Sequence, residues 1–84
     1  MPLTMAKPGE TVQIVRVGGG EETHRHLEEL GFVPDSTVTV VSKIAGNMII
    51  NVRESRIAID EELAKKIMVE TTQIEAQVSL APAN

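Results

Sequence analysis

One aromatic ring in 84 residues decides most of what this chain can fold into. The ring is Phe32, set within Glu28-Glu29-Leu30-Gly31-Phe32-Val33-Pro34. Phe buries more apolar area than any other side chain present, so a short chain must build its core around it. Gly31 can take the positive φ that ends a helix, and Pro34 blocks the start of a new one. The stretch therefore reads as the end of a short helix and the opening of a run of strands, with Phe32 as the structural centre.

The rest of the core has to be Val, Ile, Leu and Met. A chain of this length buries only about 60–65% of the surface that its unfolded form exposes. There is no cysteine to staple it, and no zinc-finger spacing. The net charge of −4, from 12 acidic and 8 basic residues, argues against a nucleic-acid binder, which needs a basic face. A single Phe also offers no stacking platform for bases. No apolar run approaches the roughly 18–20 residues of a membrane span, so no direct membrane insertion is expected. Met1-Pro2-Leu3-Thr4-Met5-Ala6-Lys7-Pro8 lacks a basic start followed by an apolar block, which predicts no signal peptide and a cytoplasmic protein.

Punctuation and periodicity give the elements. Pro8-Gly9-Glu10 is a turn that launches a strand over Thr11 to Val17. Val12 and Ile14 point one way there, then Val15 and Val17 take the opposite phase, a slip that predicts a bulge or a change of partner. Gly18-Gly19-Gly20 ends the strand. Glu21 to Leu30 is the helix, with Leu27 and Leu30 on one face, Thr23 one turn earlier, and two acids in the first turn. At about ten residues it is too short to be stable alone, so its leucines must dock on a sheet. Leu27, Leu30, Gly31 and Phe32 are accordingly assigned to structure.

Strand signals then follow closely. Val38 and Val40 alternate with Thr37 and Thr39; Met48, Ile50 and Val52 alternate with Asn47, Asn51 and Arg53, and Ala45-Gly46-Asn47 supplies the turn between. Glu54-Ser55 is the next turn, before Arg56-Ile57-Ala58-Ile59. Asp60 is an N-cap for one helical turn over Glu61 to Lys65, and Lys66 to Glu70 closes the set. The expected fold is mainly β: a small curled barrel of about five short strands, one inserted helix (21–30) and a single helical turn (61–65). Closure would remove exposed strand edges. The chain reads as one domain, 1–84, with a core over 3–70 and a tail over 71–84. In the tail, Ile74, Ala76, Val78 and Leu80 alternate with Glu75, Gln77 and Ser79. That is a strand pattern, which docks on its own barrel, pairs with another copy, or stays disordered.

The residues that could carry chemistry do not converge. Ser36, Ser42, Ser55 and Ser79 have no base placed beside them, so no catalytic nucleophile is expected. The triple glycine lacks the Lys-Ser/Thr ending of a phosphate loop, and Glu21 and Glu22 already sit where an anion would bind. His24 and His26 lie about 200° apart around a helix and cannot hold one ion together. His24 with Glu28, and Glu22 with His26, are better spaced, but two ligands without a fixed third give only a weak metal site. No cofactor is expected. What remains is a surface. The inserted helix carries seven charged or imidazole side chains and ends at a rigid corner, so Arg25, His26, Glu29 and Pro34 are candidates for contact with a partner.

The segment from Arg25 through Leu27 to Pro34 resembles the Arg-x-Leu-x-x-Leu-Gly-Phe-x-Pro signature of the ferrous iron transport protein A (FeoA) family. Ile49 to Asp60 is similar to that family's strand, turn and strand, and Leu63 to Val69 to its closing turn and last strand. Two positions depart: Asp35 and Glu54 stand where the family commonly has Gly, which bears on turn geometry. The resemblance spans about residues 3 to 70. It implies an SH3-like barrel and a non-catalytic cytosolic accessory protein of bacterial ferrous iron uptake. Its partner would be the membrane ferrous iron permease, with its cytosolic GTPase part. The alternative is a stand-alone regulatory interaction module, related to the SH3-like domain of metal-dependent transcriptional repressors. A third reading is a homo-oligomer formed through the C-terminal tail.

Overall fold

The computed structural model describes residues 1–72. Its elements are a 3-10 turn (Leu3–Met5), β1 (Thr11–Val17), α1 (Glu21–Glu29), β2 (Thr37–Ile44), β3 (Asn47–Val52), β4 (Ser55–Asp60), α2 (Glu61–Ala64) and β5 (Ile67–Thr71). The five strands form one antiparallel sheet in the order β4-β3-β2-β1-β5. The fold is mainly β with one inserted helix, as the pattern of the sequence requires. Boundaries differ by a residue at the helix ends, where Leu30 and Lys65 are caps rather than helical residues, and β5 is shifted forward by one. The alternation over residues 74–80 lies outside the described residues.

Inward-facing residues of every strand meet in a single buried cluster. Val12, Ile14 and Val17 come from β1, Val38 and Val40 from β2, and Met48, Ile50 and Val52 from β3. Ile59 of β4, Ile67 and Val69 of β5, and Leu3, Ala6, Leu27, Phe32 and Ala64 complete it. Phe32 is fully buried and is the largest of them. Among the described residues no polar or charged residue is buried with it, so these core side chains contribute through apolar burial, at about 25 cal/mol per Å² removed from water.

The phase slip in β1 has a specific form. The register against β5 shifts between Ile14 and Arg16, leaving Val15 as the extra residue. Val15 is exposed while Val12, Ile14 and Val17 all face the core. The expectation of a bulge holds, but Val15 does not join Val17 in a second inward phase, because the bulge spends one residue to keep Val17 pointing inward. A second register shift in β2, between Val40 and Ser42, bends that strand in the same way.

The sheet curls without joining its ends, so the expected removal of strand edges is incomplete: β4 and β5 are not paired, and α2 links them. The outer edge of β5 is covered by the N-terminal residues. The Met1 amino group donates to the Val69 carbonyl at 2.9 Å, the Val69 amide donates to the Met1 carbonyl at 2.7 Å, and Pro2 bridges to Met68. Leu3 and Ala6, three apart around the 3-10 turn, are then fully buried against the sheet. The sequence reading assigned no element here.

Candidate functional site

The candidate surface is α1 and the corner that follows it. Gly20 caps the helix without a side-chain bond, and Glu21 and Glu22 in the first turn suit the positive end of the helix dipole. At the other end the chain closes in a Schellman motif. The Gly31 amide donates to the Glu28 carbonyl and the Phe32 amide to the Leu27 carbonyl, each at 3.0 Å. Gly31 adopts φ +105°, which an L side chain resists. Leu27 and Phe32, the two apolar positions of that motif, are both fully buried. Thus the residues assigned to structure act as one unit: the helix is nailed down by Leu27, turned by Gly31 and continued into the core by Phe32. Leu30 is half-buried and packs against the same cluster.

The corner continues as a four-residue turn. The Ser36 amide donates to the Val33 carbonyl at 3.1 Å, with Pro34 and Asp35 at the two central positions and Asp35 at φ +73°. Proline followed by a positive φ defines a type II turn, in which Gly is preferred where Asp35 stands. Asp35 therefore takes the conformation that glycine would supply. The same turn is tied to β1: Ile14 donates to the Ser36 carbonyl and accepts from the Asp35 amide, both at 2.8 Å. In the β3–β4 hairpin the positive φ (58°) falls on Arg53, one residue before Glu54.

This frame leaves the outer side chains free. Arg25, His26, Glu29 and Pro34 are all exposed, together with Glu21, Glu22 and Glu28. Arg25 lies four residues from both Glu21 and Glu29 on the polar face, yet among the described residues it forms no ion pair with either. Holding two long exposed side chains in one geometry costs entropy that a screened charge pair does not repay. His24 and Glu28 do meet, with Nε2 and Oε2 3.5 Å apart, on side chains that remain 42% and 46% exposed. Glu22 and His26 form no ion pair. Among the described residues no group of three or more His, Cys, Asp or Glu side chains converges as a metal site would require. A shallow depression lined by Gly19, Glu21, His24, Arg25 and Glu28 flanks the helix. At its rim the backbone of Gly19 comes close to Thr23 and the stem of Lys66: a Cβ there would lie 3.0 Å from Lys66 Cδ. No helix among the described residues is long and apolar enough to cross a membrane.

Comparison with known proteins gives a consistent result. A family model described as "FeoA domain" matches residues 1–71. A curated relative from Methanocaldococcus jannaschii, named "Putative Fe(2+) transport protein A", is 36% identical over 72 residues, covering 86% of this chain and 88% of the relative. The crystal structure of an iron uptake regulatory protein (FeoA) superposes with a TM-score of 0.77 at 33% identity, over 83% of this chain and 93% of that one. A manganese-dependent transcriptional repressor gives a TM-score of 0.78 at 19% identity, over 84% of this chain and 41% of the repressor. That last likeness is one of fold alone: a small SH3-like barrel.

Proposed function

This chain belongs to the FeoA domain family, and from that premise we propose that it is a non-catalytic accessory protein of ferrous iron transport, docking on a membrane iron permease. In this reading it works in the cytoplasm and binds the permease's cytosolic GTPase part through the outer face of α1 and the Pro34 corner. One observation supports it above the others. A helix too short to stand alone is locked onto the core by Leu27, Gly31 and Phe32, while Arg25, His26, Glu29 and Pro34 stay exposed. Such an element spends its stability on being held still with a polar face outward, which suits recognition more than packing. The contribution to transport would then be a protein contact, with iron as the cargo of the permease.

The test is charge reversal at Arg25. Arg25→Glu should weaken binding to the purified cytosolic part of the permease and reduce the stimulation of iron uptake, with the melting temperature unchanged. Loss of binding and of thermal stability together would make Arg25 a structural residue and remove the proposal's support.

A further inference from the structure

The two edges of this sheet are treated differently. Met1 and Pro2 cover the outer edge of β5, whereas no strand of the described residues pairs with the outer edge of β4. A six-residue edge left unpaired among the described residues presents N–H and C=O groups, a template for another strand, and natural sheets seldom leave one uncovered. Beside it the core is also unfinished. Ile57 on β4 and Leu63 on α2 are only half-buried, though both pack against the core cluster.

The chain carries a segment with the form of a missing strand. Ile74, Ala76, Val78 and Leu80 alternate with Glu75, Gln77 and Ser79. Residues 74–80 would extend roughly 23 Å, against roughly 20 Å for β4, at about 3.3 Å per residue. Laid beside β4, such a strand puts its four apolar residues on the face that Ile57 and Ile59 share, and its polar residues on the face of exposed Arg56 and Ala58. The sequence after β5 offers no residue pair that favours a tight turn back onto the same barrel. β5 runs to Thr71, the Thr72 hydroxyl donates to the Thr11 carbonyl at 3.0 Å, and residues 71–80 contain no Gly, Pro, Asn or Asp. A chain that leaves β5 without a turn former reaches a neighbour more readily than itself.

We propose that residues 74–80 of one copy add as a strand to the free edge of β4 in a second copy, and that the exchange is reciprocal, giving a closed two-fold dimer. This does not rest on the permease reading.

The test uses the full chain and the Val78→Asp variant, which places a charge on the apolar face of the segment and leaves the described core untouched. Mass in solution is measured by light scattering, and amide exchange is followed residue by residue. The expected parent is a dimer in which alternate amides of Ser55–Asp60 exchange slowly. Val78→Asp should be monomeric, with those amides exchanging at least ~100-fold faster, while Ile14 and Ile50 stay protected as markers of an intact fold. A monomeric parent overturns the proposal: protected β4 amides would mean the segment lies on its own barrel, unprotected ones that the edge is bare. A dimer that survives Val78→Asp, or one with fast-exchanging β4 amides, overturns it equally.

Discussion

Gly31 lies directly beneath Val52: a β-carbon built on the glycine would stand 2.8 Å from Cγ1 of the valine, closer than real atoms approach. With φ at +105°, this position is closed to side chains on two independent grounds, conformation and space. The corner that turns α1 into the core can therefore be made only by glycine. Gly31→Ala should cost about 2–5 kcal/mol, combining roughly 1–2 for the backbone conformation with roughly 1–3 for overpacking. Thermal unfolding should fall by more than about 10 °C in a domain of this size. Adding Val52→Ala removes the clashing methyl but not the backbone strain. The double variant should then be less destabilised than the sum of the two singles, by about 1 kcal/mol or more in a double-mutant cycle.

Phe32→Ala should cost on the order of 3–5 kcal/mol, because the ring is fully buried and nothing else in the chain can fill its space. Against a total stability of about 5–15 kcal/mol, that leaves a marginal fold, seen as a large drop in the urea midpoint. Phe32→Leu keeps most of the apolar volume and should lose less. If the two variants unfold alike, shape complementarity around the ring matters more than its area.

Two turns carry side chains where glycine or asparagine would be easier. Ala45 and Gly46 have φ of +49° and +81° in the β2–β3 hairpin, the signs of a type I′ turn, and Asn-Gly is the preferred pair for it. Asp35 takes the glycine position of a type II turn. Ala45→Asn and Asp35→Gly should each stabilise by about 0.5–1 kcal/mol, the second less, since glycine also loosens the unfolded chain. The reading is a rise in melting temperature of a few degrees. A fall at either position would mean that the side chain makes a contact worth more than the strain.

Asp60 accepts a hydrogen bond from the Leu63 amide at 2.9 Å and so caps α2. Asp60→Ala should cost about 0.5–2 kcal/mol, while Asp60→Ser or Asp60→Asn should recover most of it. Equal losses in all three would assign the effect to the charge rather than to the cap.

Much of this architecture is legible in the sequence because it follows from short-range patterns. Leu27, Gly31 and Phe32 stand at the spacings that a helix, its stop and its anchor require, and Asp60 before two glutamates reads as a cap. Val12, Ile14 and Val17 even announce the bulge, but not which residue it would expel. Val15 is as apolar as its neighbours, and only the pairing with β5 decides that it faces out. Leu3 and Ala6 went unassigned for the same kind of reason. Three residues of 3-10 turn carry too little periodicity to be seen, and what stabilises them is the β5 edge 60-odd residues away. Asp35 shows the reverse: its departure from glycine suggested an altered turn, yet neighbours on both sides, Pro34 and the Ile14 bonds, over-determine the backbone and hold it. The exposed face of α1 follows from helical period alone. What it binds depends on a surface in another molecule, about which periodicity carries no information.

If exposed charges on α1 mediate docking, their contribution must be visible as a dependence on salt. Charges at an open surface act over about 8 Å at physiological ionic strength and about 3 Å at 1 M. Such rim charges chiefly set the rate of encounter rather than the lifetime of the complex. Binding of the purified permease fragment should therefore weaken as salt rises, mostly through slower association. Arg25→Glu should lower the association rate by on the order of 10-fold at low salt and flatten or reverse the salt dependence. Pro34→Ala, uncharged and at the corner, should leave the salt slope unchanged and act on dissociation alone. Kinetics measured at two ionic strengths separate these effects. An Arg25→Glu complex that forms at the parent rate would remove Arg25 from the docking face, whatever its final affinity.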